Sequence, residues 1–321
     1  ATRHRERSEL ATRQRERSEL ATRHRERSEL ATCYNPSMLR QKSGSVVCRT
    51  CGRLVGINDE RCYNCGARNP ALWGYAPWLR RLGSDLGFVQ LVIFVSVGLY
   101  MACLAVDPGG IRTGGMLSLL APSGTSLLAF GGSGALPVFG LGRWWTVLSA
   151  AWLHGGVLHI LFNMLWVRQL APATAEAYGV GRMMIIYAAS SAVGFFLSSF
   201  AGAFIGPIPL LGGGAGLTIG ASAPIFGLLG ALVYSGRRGA ISSAMSSQAM
   251  TYAIILFVFG IVMQGIDNWA HLGGFAGGYL AALWLNPLYP ERINHLIGGL
   301  LCTAASLLSI AASIVLGFRF L

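Results

Sequence analysis

The chain has 321 residues, of which 53% are hydrophobic and only 12% charged. Soluble domains carry about 25% charged residues, so an ordinary water-soluble enzyme is excluded. The charges are also uneven: residues 1–83 hold 17 Lys and Arg and 8 Asp and Glu, whereas residues 84–321 hold 8 and 5. A water-facing surface over residues 84–321 cannot be built from so few charges. The composition therefore defines an all-α polytopic membrane protein with a charged N-terminal head. The net charge of +12 does not indicate nucleic acid. The basic residues lie before the first apolar span and in short loops, where they set membrane orientation.

Residues 1–30 repeat one decapeptide three times, ATRHRERSEL with Gln14 replacing His in the second copy. No solenoid has a ten-residue period, and no unit has an apolar face to bury. The first methionine is Met38. The expectation is that the native chain begins there and that 1–37 is read-through or disordered; a charged Arg/Glu tether is the other reading.

Residues 38–69 form a second module. Cys48, Cys51, Cys62 and Cys65 give C-x2-C, ten residues, then C-x2-C. Two thiolate pairs on tight turns supply the four corners of a tetrahedron. Gly52 and Gly66 directly follow the second Cys of each pair, where the knuckle needs a permissive backbone. The expectation is a structural zinc ribbon whose folding energy is Zn²⁺ binding, with a cytoplasmic partner as its use. Four Cys ligands leave no open coordination position, which argues against a catalytic metal. Two disulfides are the other use of four cysteines, but the orientation below puts the segment in a reducing compartment. Cys33, Cys103 and Cys302 are isolated. A linker over 70–83 carries Trp73, Tyr75, Trp78, Arg80 and Arg81, which are interfacial anchors beside an apolar run.

The remainder, 84–321, contains seven apolar spans, at roughly 86–106, 150–169, 183–205, 222–235, 249–263, 269–285 and 295–318. Three are short for a bilayer that takes about 20 residues, so they are expected inside a bundle. With the N-terminus cytoplasmic, thirteen Lys and Arg of residues 40–321 fall inside and three (Arg112, Arg143 and Arg319) outside, the sense that the positive-inside rule requires. The expected location is the cell (inner) membrane.

Ionisable and polar residues within spans are functional suspects. His154, His159 and Asn163 lie in span two, Ser222 begins span four, and His271 is near the start of span six. All three spans run from outside to inside, so these groups share a layer just below the outer surface. Span six carries Ala270, Gly274, Gly278 and Ala282 at every fourth position; span four carries Ala223, Gly227 and Ala231. Such small-residue faces let backbones approach, so spans four and six should touch and bring Ser222 to His271. A hydroxyl within reach of an imidazole is an activated nucleophile. His159 and Asn163, one helical turn apart, are placed to donate to an oxyanion. The Gly-rich loop ending at Gly220 gives the substrate room. Each residue has a plain structural use too: Ser222 as a helix N-cap, the histidines as packing, Asn163 as an interhelical bridge. The combination on three inward-running helices is what favours a hydrolase.

HGGVLHILFN (154–163), GASAPIFG (220–227) and AHLGGFAGG (270–278) resemble the three motifs of the rhomboid intramembrane serine proteases: H-x4-H-x3-N, G-x-S-G and A-H-x-x-G, in that order. RWW (143–145) looks like the Trp-rich motif of that family's first loop. The resemblance covers about residues 84–290 and implies a six-helix bundle, with span seven as the extra C-terminal helix of one subset. It further implies a Ser222–His271 dyad without an acid. His159, Asn163 and the Ser222 N–H would form the oxyanion hole, with His154 and Gly220 as secondary candidates. The substrates it implies are transmembrane proteins, cut near the outer face. Ala223 stands where the family motif has Gly, so a methyl enters a tight turn. Thr146 stands where the family often has Arg after the paired Trp, which puts the first loop's anchoring in question but not the dyad. Two other classes are an inactive rhomboid-like protein that routes membrane clients and a small-solute transporter. The second is disfavoured because no internal repeat is evident.

Overall fold

The computed structural model describes residues 40–48, 51–76, 83–115, 118–209, 211–263 and 265–317. The decapeptide repeats, Cys33, Met38, Trp78, Arg80 and Arg81 lie outside them. The chain divides into two compact units, Ala1–Arg81 and Leu82–Leu321.

In the first unit, β1 (Ser45–Val47) pairs antiparallel with β2 (Leu54–Gly56), with Val46 opposite Val55. Val46, Val55, Ile57 and Ala71 are buried with Cys48 and Cys62. That is the whole apolar core of the described part of this unit, and two three-residue strands are too little to hold together alone.

The second unit is built from seven long helices: α1 (Phe88–Val106), α2 (Val157–Tyr178), α3 (Val180–Phe204), α4 (Ser222–Arg237), α5 (Ser243–Val262), α6 (Asn268–Leu285) and α7 (Ile293–Gly317). Four of them, α1, α3, α5 and α7, are long and apolar enough by themselves to cross a membrane. The short helices over Thr146–Trp152 and α2 qualify as a bent pair, with a 97° turn between them. At 16 residues α4 is short, but every residue from Ala223 to Ser235 is buried. It is the axis of the bundle, shielded by its neighbours instead of by its own length. The architecture is that of a polytopic helical membrane protein.

Span two needs correction. The sequence reading ran it over 150–169, but α2 begins at Val157 and continues through Pro172 to Tyr178. His154–Gly155–Gly156 breaks the chain ahead of it. Arg168 is not its end, because Pro172 removes only one intrahelical hydrogen bond and the helix continues past it. His154 therefore precedes α2 and is not part of the helix.

The α4–α6 contact follows from glycine. A Cβ added at Gly274 would lie 2.1 Å from the Ala223 oxygen, and one at Gly278 would lie 2.0 Å from the Gly227 oxygen. From the other side, a Cβ at Gly230 would sit 2.4 Å from the Phe275 oxygen. The two backbones touch over two turns, as the four-residue spacing predicted. Gly278→Ala must push the helices apart. It is expected to cost about 1–3 kcal/mol in thermal unfolding in detergent. Gly98→Ala, on α1 where no atom lies within 4 Å of an added Cβ, should be neutral or stabilising. Equal melting temperatures for the two variants would overturn this packing.

At the opposite end of the bundle Arg182, 3% exposed, ties three segments together. Its guanidinium donates to the carbonyl oxygens of Tyr178, Leu285, Asn286 and Tyr289. Its backbone N–H donates to Glu291 Oε1 at 3.0 Å. The turn from α6 into α7 is thereby fastened to the start of α3.

Candidate active site and cysteine cluster

Ser222 is the first residue of α4. The N-cap position is Ala221, and no side chain caps the helix. The Ser222 hydroxyl is thus not used as a cap, and it is half-buried. The first turn leaves backbone N–H groups without intrahelical acceptors, and the dipole makes that end favourable for negative charge. Pro224 falls in this turn, where its missing N–H is not needed. Ala223 is helical and fully buried. Its methyl faces Gly194 of α3, where an added Cβ would meet it at 2.9 Å. Gly194 supplies the space that the motif glycine would otherwise have given.

Gly220 has φ +124, and its N–H donates to the Ala150 oxygen at 2.9 Å. A Cβ there would lie 2.6 Å from His159 Nε2 and 3.8 Å from Ser222 Oγ. Glycine is required on both conformational and steric grounds, and the imidazole and hydroxyl flank one point in space. His159 Nδ1 accepts the Gly155 N–H at 3.2 Å. Its proton therefore sits on Nε2 in the neutral ring, the nitrogen turned toward Gly220. Asn163 follows one turn later on α2, 6% exposed, with Nδ2 donating to the His159 oxygen at 2.8 Å. That bond uses one of its two amide hydrogens.

His271 lies in the first turn of α6, 6% exposed. Its ring stacks on Phe226, centroids 4.2 Å apart and planes at 15°. Phe226 is one turn after Ser222 on the same face of α4, so α4 presents Ser222 and Phe226 together to the His271 side. His271 Nδ1 is buried without a hydrogen-bond partner among the described residues. No hydrogen bond joins Ser222 Oγ to His271 among them, and such bonds commonly tighten only with substrate. His154 is fully buried, its ring edge-on to His159 with centroids 5.3 Å apart. Expected on span two, it lies ahead of the helix instead and abuts His159 directly.

Three features were not singled out from sequence. Phe226 was passed over as an apolar helix residue, although its four-residue spacing from Ser222 was visible. Asp267 caps α6 through Ala270 N–H at 3.0 Å and accepts from Ser198 Oγ, which in turn accepts the Ala215 N–H. A backbone pairing between 133–136 and 215–218 was also unforeseen.

In the first unit, the four cysteine sulfurs lie within 4.8 Å of one another. Cys48 and Cys65 Sγ are 3.8 Å apart, and Cys51 and Cys62 Sγ are 3.6 Å apart. Zn–S bonds of about 2.3 Å in a tetrahedron set the sulfurs about 3.8 Å apart, so the cluster fits that ion. Each knuckle closes in the same way. The Gly52 N–H donates to the Cys48 oxygen at 3.0 Å and the Gly66 N–H to the Cys62 oxygen at 2.9 Å, with φ +75 and +70. The Arg53 N–H draws the Cys51 thiol down to about 6. Against the pull of the Ala67 N–H, desolvation and the neighbouring sulfurs push Cys65 up to about 12. Four sulfurs this close could hold a metal ion.

A helical multi-pass membrane protein in which His159 and Ser222 lie beside Gly220 and His271 stacks on Phe226 belongs to a narrow class. Residues 141–287 match the family described as Rhomboid domain. The chain is 34% identical over 159 residues to rhomboid protease GluP of Bacillus subtilis, covering 49% of this chain and 29% of that one. It is 29% identical over 222 residues to RHOMBOID-like protein 4 of Arabidopsis thaliana, covering 61% and 51%. Putative rhomboid protease YdcA of Bacillus subtilis matches at 29% over 142 residues, covering 43% and 66%. This chain thus spans less than two thirds of the length of each. Its residues 141–287 are similar to a rhomboid domain.

Proposed function

We propose that the protein is an intramembrane serine endopeptidase that hydrolyses peptide bonds in or near transmembrane segments of other proteins. The observation that carries this reading is the placement of His159 Nε2 and Ser222 Oγ on either side of Gly220 at the start of α4, with His271 held by Phe226 on the adjacent helix. Ser222 Oγ attacks the scissile carbonyl carbon, and its proton passes to His271 Nε2. The oxyanion that develops receives hydrogen bonds from His159 Nε2–H, the remaining Asn163 amide hydrogen and the Ser222 N–H, reinforced by the α4 dipole. His271 then returns the proton to the leaving amine, and water hydrolyses the acyl ester on Ser222. His271 is oriented by stacking instead of by a carboxylate, in keeping with a dyad.

The cell (inner) membrane, a cytoplasmic N-terminus and a site opening to the outer side belong to this reading through the Lys/Arg asymmetry. So do a structural Zn²⁺ on Cys48, Cys51, Cys62 and Cys65, and a cytoplasmic protein partner for that ribbon. A serine-directed fluorophosphonate is the direct test. Mass spectrometry of the treated protein in lipid should find the label on Ser222 and nowhere else. A folded protein that takes no label overturns the protease reading in favour of a rhomboid-like client binder.

A further inference from the structure

We infer that Arg143 is a positioning residue: it locks the outer end of α7 to the first loop, and through that loop helps set the segment 213–218 that leads to Ser222. The inference rests on the protease reading above and extends it to a helix outside the three motif-bearing ones.

The argument begins at the end of α7. Arg143 is 3% exposed. Nη1 donates to the Leu128 oxygen at 2.8 Å and Nη2 to the Ser313 oxygen at 3.0 Å. Leu128 lies at the end of the short helix Gly124–Ala129, and Ser313 lies in the last turn and a half of α7. One guanidinium thus sits at the C-terminal ends of two helices, where carbonyls lack partners and positive charge is favoured. Trp145 Nε1 adds a bond to Ser313 Oγ at 3.1 Å. The backbones themselves touch. A Cβ at Gly317 would lie 2.1 Å from the Ala129 oxygen, and one at Gly131 would lie 2.7 Å from Ser313 Oγ.

From this anchor the first loop runs straight to the nucleophile. Ser149 Oγ donates to the Gly131 oxygen at 2.7 Å. Ser133 and Thr218 exchange backbone hydrogen bonds at 3.0 and 2.7 Å. The Ala135 N–H donates to the Ala215 oxygen at 2.9 Å and the Leu136 N–H to the Gly216 oxygen at 3.1 Å. Thr218 is four residues before Ser222. Residues 213–216 are Gly-Gly-Ala-Gly, which have little conformational preference of their own. Ser198 Oγ of α3 holds the Ala215 N–H at 3.2 Å, and the first loop supplies the backbone pairing from Ala215 to Thr218; that loop is held by Arg143. The missing Arg after the paired Trp is therefore no loss of anchoring. The charge enters from the other side of the pair, and α7 supplies an acceptor for it.

Arg143→Met keeps the apolar stem and removes both bonds. Hydrogen exchange on the full chain in nanodiscs should show faster exchange at the Thr218 and Ala135 amides, with α3 amides unchanged. Fluorophosphonate labelling of Ser222 should slow by roughly 10- to 100-fold, since small misplacements of reacting groups have effects of that order. Arg143→Lys reaches one carbonyl at a time and should recover part of both effects. Ser313→Val removes only the Trp145 acceptor and should shift both readouts in the same direction by less. It serves if Arg143→Met fails to fold. Unchanged exchange at Thr218 in the folded variants overturns the inference, as does faster exchange with undiminished labelling. Wild-type protein that takes no label sinks the protease reading instead, and the exchange data then decide the anchoring alone.

Discussion

Cleavage of a model transmembrane substrate is expected to fall by at least about 10⁴-fold in both Ser222→Ala and His271→Ala, with the fold intact. Ser222 makes no capping bond, so deleting its oxygen leaves no buried partner unsatisfied. His271→Ala loses the stack on Phe226, a contact worth about 0.5–1.5 kcal/mol and too small to unfold the bundle. His159→Ala should cost roughly 10²–10³, because its Nε2–H is the donor aimed at the Gly220 turn. Asn163→Ala should cost less, one of its amide hydrogens being already engaged by the His159 oxygen. His154→Ala removes the ring edge-on to His159 and should slow turnover by less than His159→Ala without being silent. Rates would be measured with a reconstituted fluorogenic substrate beside thermal unfolding. Wild-type-like turnover in either dyad variant would refute the mechanism. A silent His159→Ala with an inactive His154→Ala would move the oxyanion site ahead of α2.

Much of this site was legible because its residues break a strong background. In spans otherwise free of charge, a His, an Asn or a Ser is conspicuous, and the fixed rise of a helix converts spacing into depth. The every-fourth small residues of α4 and α6 likewise foretold a backbone contact that the structure contains. The helix count was readable for the same reason. The start of α2 was misplaced. His154–Gly155–Gly156 separates a short helix from a long one at 97°; the Gly-Gly pair was a visible breaker signal that the span assignment ran through.

The first loop was the least legible part. Its short helices and its pairing with 215–218 are sustained by Arg143, Trp145 and Ser313, residues up to 170 positions apart. No local propensity encodes such a contact. Arg143 stood out in the sequence only as an outer cation and as the first residue of RWW. Its role became visible once α7 was seen to end beside it. Phe226 illustrates the converse case: its spacing was plain, but only the ring geometry separates an orienting stack from ordinary core.

With the proposed Zn²⁺ on the four cysteines, its removal is expected to unfold the first unit and spare the second. The ribbon has two three-residue strands and a core of a few small apolar side chains. On the proposed zinc reading, the energy that orders it comes from metal coordination, which supplies about 10–16 kcal/mol in comparable zinc peptides. The helices of the second unit bury their own core and share none of those ligands. Purified full-length protein should therefore carry one Zn²⁺ per chain, and Cys48→Ser with Cys51→Ser should carry none. In that variant the Val46 and Val55 amides should lose protection from hydrogen exchange, while those of α4 and α6 keep it. Chelation with EDTA should reproduce the exchange pattern and leave cleavage of the model substrate unchanged, since the proposed Ser222–His271 mechanism needs no metal. Because the ligands must be thiolates and Cys65 holds its proton up to about 12 without the ion, affinity should weaken as the pH falls. A protected ribbon in the zinc-free protein would make the fold self-sufficient and the cysteines something other than ligands. Loss of cleavage on chelation, with α4 and α6 still protected, would put a metal into the reaction itself.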